Sequence, residues 1–186
     1  MRKKFLTRCL RFMNLHGKCS KIRAVVLDVD GVLTDGRIGY GGETENEIKF
    51  FNVRDGHGIV LARRAGLLVG ILSGRKSAAN RIRAAELKLD FLYERILDKD
   101  SGFTALLEDH SLAPEECMYI GDDIVDARPM SRCGFAVAVG DAVSELDRVC
   151  DMRTKHAGGR GAVREAIEFL LKEQGKWDSL MERYFG

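Results

Sequence analysis

Apolar residues in this chain fall into two kinds of run. Short, nearly continuous apolar stretches recur at Ile22–Leu27, Leu67–Leu72, Phe91–Tyr93, Cys117–Ile120 and Phe135–Gly140. Runs of this length and continuity read as strands buried on both faces, as in parallel sheets. Between and after them lie stretches with helical character. These are Ile59–Ala65 closed by Gly66, a segment ending near Leu87, Ser101–His110, Ala142–Val149 and about Ala162–Lys172. Strand and helix alternating in this way predict an α/β fold, a Rossmann-like doubly wound parallel sheet with helices on both faces.

Two stretches depart from that rhythm. Over residues 34–52, Ile38, Tyr40, Ile48 and Phe50 alternate with Arg37, Gly39, Lys49 and Phe51 around the polar tip 41–46. The pattern predicts a β-hairpin standing as a flap after the first strand. A two-stranded hairpin is marginal alone, so it is expected to pack on something, another subunit included. At the other end, Trp177, Leu180, Met181, Tyr184 and Phe185 form an apolar helical face. Such a face must cover its own domain or dock on a partner. The expected organisation is a basic helical lead-in over 1–21, one domain over 22–173, and a tail over 174–186 docking on a neighbouring subunit.

Composition narrows the class. With 186 residues, 45% hydrophobic and 31% charged, the chain suits one globular α/β domain. A net charge of +2 gives no argument for nucleic acid. No run approaches the roughly 18 apolar residues of a membrane span. Cys9, Cys19, Cys117, Cys133 and Cys150 are odd in number and contain no CxxC, which reads as reduced, cytoplasmic thiols.

The chemistry begins where the first strand stops, at Asp28-Val29-Asp30-Gly31. Two carboxylates at the end of a buried strand repel unless a divalent cation lies between them or one keeps a proton. A calcium loop is excluded: a strand precedes, and the sixth and twelfth positions are Leu33 and Gly39 rather than Gly and Glu. The second strand ends in Ser73-Gly74-Arg75, a hydroxyl, a close-approach glycine and a charged fork suited to an anion. Lys99 follows the third strand, and the fourth ends in Gly121-Asp122-Asp123 with Asp126 beyond. In open α/β sheets, ligands sit beyond the carboxyl ends of the strands.

Asp28-Val29-Asp30-Gly31-Val32, Ser73, Lys99 and Gly121-Asp122-Asp123 occur in the order of the four motifs of the haloacid dehalogenase superfamily, which the chain resembles from about Ile22 to Leu171. A receiver domain uses similar residues in another order. Further stretches, Phe51–Gly56, Ser73–Arg75 and Ala157–Glu165, resemble the capless branch that contains the 3-deoxy-D-manno-octulosonate 8-phosphate phosphatases of lipopolysaccharide biosynthesis. The resemblance implies a cytoplasmic homotetramer acting on a small phosphorylated sugar acid, with no nucleic-acid partner. It implies Asp28 as nucleophile, Asp30 as acid and base, Ser73 and Lys99 on the phosphoryl oxygens, and Mg2+ held by Asp28, the Asp30 carbonyl and Asp122. Asp123 and Asp126 would orient these groups. Asn52, Val53, Arg54, Asp55, Gly56, Gly74, Arg75 and Arg83 match positions that bind the sugar acid. Val60 stands where the octulosonate enzymes carry a basic residue, which leaves open a nine-carbon keto-deoxy acid 9-phosphate. A non-catalytic assembly domain is the alternative from another class.

Overall fold

The computed structural model describes residues 15–41 and 46–186. Of the helical lead-in expected over 1–21, residues 1–14 lie outside the described residues, as does the hairpin tip at 42–45; residues 15–19 are helical. Among the described residues, six parallel strands form one sheet in the order β5-β4-β1-β6-β7-β8. They are β1 (Ala24–Leu27), β4 (Leu68–Leu72), β5 (Phe91–Tyr93), β6 (Cys117–Gly121), β7 (Phe135–Ala138) and β8 (Met152–Arg153). β2 (Gly39–Gly41) and β3 (Asn46–Ile48) pair antiparallel as the expected hairpin. The helices are α1 (Val53–Arg64), α2 (Ala78–Leu87), α3 (Lys99–Asp109), α4 (Ala127–Arg132), α5 (Ala162–Glu173) and α6 (Trp177–Phe185).

The sheet's two faces follow from strand alternation. Val25 and Leu27 join a core with Ile59, Leu61, Ala62, Ile167 and Leu170 from α1 and α5. Ala24 and Val26 join another with Phe103 and Leu106 from α3, together with Tyr119 and Met130. Burying each of these large side chains contributes roughly 1.5–3 kcal/mol. Register aligns the strand ends: Leu27 lies opposite Ile71 on one side and Ile120 on the other. The residues just past them, Asp28, Ser73 and Asp122, therefore leave three adjacent strands at one level. The chain builds outward from β1 in both directions, so β1 and β6 flank the point where strand order reverses, the usual place for a ligand.

Two expectations are corrected. The helix expected from Ile59 begins at Val53, because the Asn52 side chain accepts from the Arg54 N–H at 2.8 Å and caps it. Glycines at 56 and 58 disguised it. A Cβ on Gly58 would come within 3.1 Å of the Arg164 Cα, so the helix needs glycine there to lie against α5. The helix expected over Ala142–Val149 is a 3-10 turn, Ser144–Arg148, burying only Leu146. α4 and β8 went unpredicted; Pro129 masks the first, and β8 is two residues long.

The apolar face of the tail lies against the chain's own domain. Trp177, Leu180 and Met181 pack on the α1–α5 core. The Arg164 and Lys172 cations lie 5.2 and 5.3 Å from the Trp177 ring centre. Arg64 donates to the Tyr184 hydroxyl at 2.7 Å. Phe185 remains exposed.

Candidate active site

Continuing the alternation of β1, Asp28 follows Val26 onto the α3 side of the sheet. There Lys99 meets it. Asp98 caps α3 by accepting from the Asp100 N–H at 3.2 Å, which makes Lys99 the helix's first residue and fixes where its stem starts. The Lys99 ammonium lies 2.7 Å from Asp28 Oδ2 and 2.6 Å from Asp126 Oδ1. All three residues are buried. Asp126 is held in turn by the Tyr119 hydroxyl at 2.8 Å and by the N–H groups of Asp122 and Asp123 at 3.2 and 3.3 Å. Asp123 is exposed and accepts from the Ile124 N–H at 2.7 Å, shaping this turn.

Asp28, Asp122 and Asp126 each place a carboxylate oxygen within 4.8 Å of the others. Burial first, then the Asp126 charge, holds the Asp28 carboxyl well above the usual carboxylate range. Burial, then Asp28 and Asp126, does the same to Asp122. Burial opposes the charged form of Lys99, but the two carboxylates outweigh it and raise its pKa. One ammonium is too little for three acids. Asp122 Oδ1 is buried and has no hydrogen-bond partner, a costly condition for a carboxylate oxygen. Asp126 is already satisfied, so Asp28 and Asp122 are the carboxylates free to take a divalent cation. This acceptor-only oxygen donor set fits Mg2+.

The turn after Asp28 is shaped by what it must avoid. Gly31 has φ +89°, and a Cβ there would fall 2.0 Å from Asp122 Oδ2. Only glycine lets the β1 turn and the β6 turn approach so closely. Gly158 is pressed on the same turn, where a Cβ would meet the Gly31 carbonyl at 1.7 Å. The 157–161 glycine cluster thus seals the turn.

Asp30 points to different company. Its Oδ1 accepts from the Lys49 ammonium at 2.6 Å, and Oδ2 lies 3.9 Å from Arg75 Nε. Arg75 also pairs with Glu47 of β3 and reaches the Tyr40 hydroxyl of β2 at 3.5 Å. The hairpin therefore closes over the strand ends, tied to both the Asp30 turn and the Ser73 turn. Ser73 is buried; its N–H donates to the Tyr93 carbonyl at 2.9 Å, and its hydroxyl accepts from the Arg75 N–H at 3.3 Å. Lys49 was legible in the sequence only as one polar position of a hairpin arm.

The segment matched to sugar-acid binding divides. Arg83 donates to the Asn52 carbonyl at 3.4 Å, lies over the Phe51 ring and covers Gly56. Asn52 Nδ2 donates to Gly159 at 3.2 Å, lining a cleft with Asp35, Arg37, Phe50 and Arg160. Val53 is exposed; Arg54 lines a different cleft with Lys155, Arg160 and Arg164. Asp55 is buried, and its oxygens take the N–H groups of Gly161 and Arg164 at 3.1 and 2.8 Å. It anchors the start of α5. Gly74 lies beside the Ile96 carbonyl. Val60 lines a cleft with Arg63, Arg64 and Glu86, none of them an acid of the strand-end cluster.

A doubly wound sheet thus delivers Asp28, Lys99 and Asp122 to one point, with a further acid two residues beyond the first. A family profile described as haloacid dehalogenase-like hydrolase matches residues 75–167. The chain is 46% identical over 165 residues to the 3-deoxy-D-manno-octulosonate 8-phosphate phosphatase KdsC of Escherichia coli (strain B / BL21-DE3), covering 89% of this chain and 87% of that one. Among solved structures, the same phosphatase from Moraxella catarrhalis, in complex with magnesium ion, phosphate ion and KDO, superposes with TM-score 0.87. It is 33% identical, over 91% of this chain and 97% of that one. The cobalt-bound enzyme from Haemophilus influenzae gives TM-score 0.82 at 39% identity, over 86% and 93%. The chain belongs to the haloacid dehalogenase-like hydrolases and, within them, to the family of 3-deoxy-D-manno-octulosonate 8-phosphate phosphatases.

Proposed function

We propose that this chain hydrolyses 3-deoxy-D-manno-octulosonate 8-phosphate to the free sugar acid and phosphate, with Mg2+ as cofactor. The observation that carries the reading is the meeting of Asp28, Lys99 and Asp122, with an unpartnered Asp122 oxygen, in a chain 46% identical to KdsC. Phosphate monoesters are among the slowest esters to hydrolyse unaided, so catalysis needs strong charge neutralisation.

Asp28 attacks phosphorus and becomes an aspartyl-phosphate as the ester bond breaks. Asp30 gives its proton to the departing sugar oxygen, then takes one from the water that attacks the aspartyl-phosphate. Phosphate leaves, and both carboxyl groups return to their starting states. Lys99 neutralises Asp28 and the phosphoryl oxygens, with Ser73 donating its hydroxyl to them. Asp28, Asp122 and the Asp30 carbonyl would hold Mg2+, which supplies further positive charge against the phosphoryl group. Asp126 fixes Lys99, and Asp123 shapes the turn that carries Asp122. Arg75, Gly74 and Arg83 with Asn52–Gly56 bind the sugar acid in this reading.

The enzyme acts in the cytoplasm as a homotetramer. Among the described residues no helix is long and apolar enough to cross a membrane. The hairpin exposes Ile38, Tyr40, Ile48 and Phe50 together, and such a patch favours burial between copies. The test is phosphate release from 3-deoxy-D-manno-octulosonate 8-phosphate and from nine-carbon keto-deoxy acid 9-phosphates, with and without Mg2+. The octulosonate ester is expected to give the highest kcat/KM, and Asp28→Asn to lose roughly 10⁴-fold or more. Preference for the nine-carbon ester would move the assignment to that substrate. Equal release by wild type and Asp28→Asn would remove the phosphatase reading.

A further inference from the structure

The Lys49 side chain has no solvent exposure, although it sits just past a two-stranded hairpin at the edge of the molecule. Its neighbours in the same arm, Ile48 and Phe50, are 46% and 73% exposed. The hairpin therefore turns its apolar side out and its lysine in, the reverse of a strand covering a core. A buried ammonium is costly unless paired. Lys49 is paired: 2.6 Å from Asp30 Oδ1 and 3.8 Å from Glu47 Oε2. Glu47 is itself tied to Arg75 on the Ser73 turn. Nothing in the packing core requires this lysine; what it touches is the acid two residues beyond the nucleophile.

We propose that Lys49 is a positioning residue: by holding Asp30 through Oδ1, it presents Oδ2 to the leaving oxygen and then to the attacking water. This rests on Asp30 being the acid and base of the reaction above. The steps balance without any change in Lys49. Oδ2–H passes its proton to the sugar oxygen as the P–O bond breaks and Asp28 takes the phosphoryl group. Oδ2 then accepts a proton from the water whose oxygen bonds to phosphorus. An acid that must reach one atom gains most from a fixed rotamer, since a misplacement of about 1 Å can cost on the order of 10²-fold.

The test compares two esters on one preparation of Lys49→Met. The sugar alkoxide of 3-deoxy-D-manno-octulosonate 8-phosphate needs a proton to leave; the nitrophenolate of p-nitrophenyl phosphate does not. Since kcat/KM reports only the steps through ester cleavage, the later hydrolysis of the aspartyl-phosphate does not enter. The ratio of the two kcat/KM values is also independent of how much of the variant is folded. The octulosonate ester is expected to lose roughly 10²-fold or more, within the usual range for general acid catalysis, and at least about 10-fold more than the nitrophenyl ester. Lys49→Gln, which keeps an N–H donor, is expected to recover part of that ratio. Equal losses on both esters, or no loss on either, would overturn the assignment. Failure of wild type to turn over the octulosonate ester with Mg2+ would instead sink the phosphatase reading, and this inference with it.

Discussion

Two lysines serve two aspartates of one turn, and they arrive by different routes. Lys99 reaches Asp28 from the first residue of α3, a helix packed on the sheet through Phe103 and Leu106. Lys49 reaches Asp30 from a hairpin joined to the domain mainly by ion pairs. Both ammonium groups are buried and both pairs are short, at 2.7 and 2.6 Å. The difference lies in what holds them. The partner of Asp28 is seated by the packed core. The partner of Asp30 is carried by the hairpin arm. In the proposed reaction that division is useful, because the cation beside Asp28 must be ready before substrate binds, whereas Asp30 needs its orientation only at the two proton transfers.

The contrast breaks most visibly in the core. Lys99→Met would leave Asp28 and Asp126 buried without their cation, and breaking such a cluster costs about 3–5 kcal/mol. A melting midpoint lower by roughly 10 °C is expected, with activity down by roughly 10²–10³-fold. The Asp28 carboxyl, already above the usual range, would lose the cation that lowers it, so the folded state would hold a proton that the unfolded chain has released. The loss should therefore grow from pH 6 to pH 8. Lys49→Met should cost less stability at both pH values, because the Asp30 side chain is 21% exposed and that of Asp28 only 9%. Equal destabilisation by the two substitutions would erase the distinction between core-seated and hairpin-borne partners.

The next effect concerns the acids that Lys99 leaves uncompensated. Asp28 and Asp122 have folded pKa values above the unfolded carboxylate range of about 4. Between that range and the folded values the native state binds more protons than the unfolded one, so stability falls as pH rises. Asp55, raised by burial, adds to the same slope. Asp35, Glu47, Asp90, Glu116 and Glu165 have lowered values and contribute stability that is complete by pH 6. Without divalent cations the melting midpoint is expected to drop from pH 6 to pH 8. Mg2+ should raise it by about 2.7 kcal/mol equivalent at a hundredfold excess over Kd, and by more at pH 8, where fewer protons compete for Asp28 and Asp122. Asp122→Asn should flatten the slope and remove most of the Mg2+ effect. A midpoint unmoved by Mg2+ at either pH would show that the acids do not hold it.

How much of this was legible in the sequence follows the same divide. Asp28, Ser73 and Asp122 each end an apolar run, so the local pattern placed them at strand tips, and parallel pairing brought the tips together. Lys99 stood out only because a helix begins there. Lys49 gave no such signal. Period-two alternation separates the two faces of a hairpin arm but does not say which face meets the domain, and the usual choice, apolar inward, is the wrong one here. Asp55 illustrates a related point. It lies in a stretch that resembles a binding loop, yet its carboxylate is used by Gly161 and Arg164, more than a hundred residues away. Contacts made across the chain, and the orientation of a small element on a large one, leave no periodicity to read.

The smallest expected effect isolates the hairpin itself. Glu47→Gln removes a charge from the Arg75 pair at the edge of the flap and from the longer contact to Lys49, while keeping the closer Lys49–Asp30 pair. Arg75 is 43% exposed at its side chain, so solvent screens the pair and its loss should cost less than about 1 kcal/mol, with little change in the midpoint. Hydrogen exchange should nonetheless separate the two regions. Local opening needs only the hairpin's own few contacts to break, so amides of β2 and β3 should exchange several-fold faster. Those of β1 and β6 open only with the whole domain and should be unchanged. If exchange rose equally in both places, the hairpin would be part of the cooperative core, and Lys49 would be as permanently seated as Lys99.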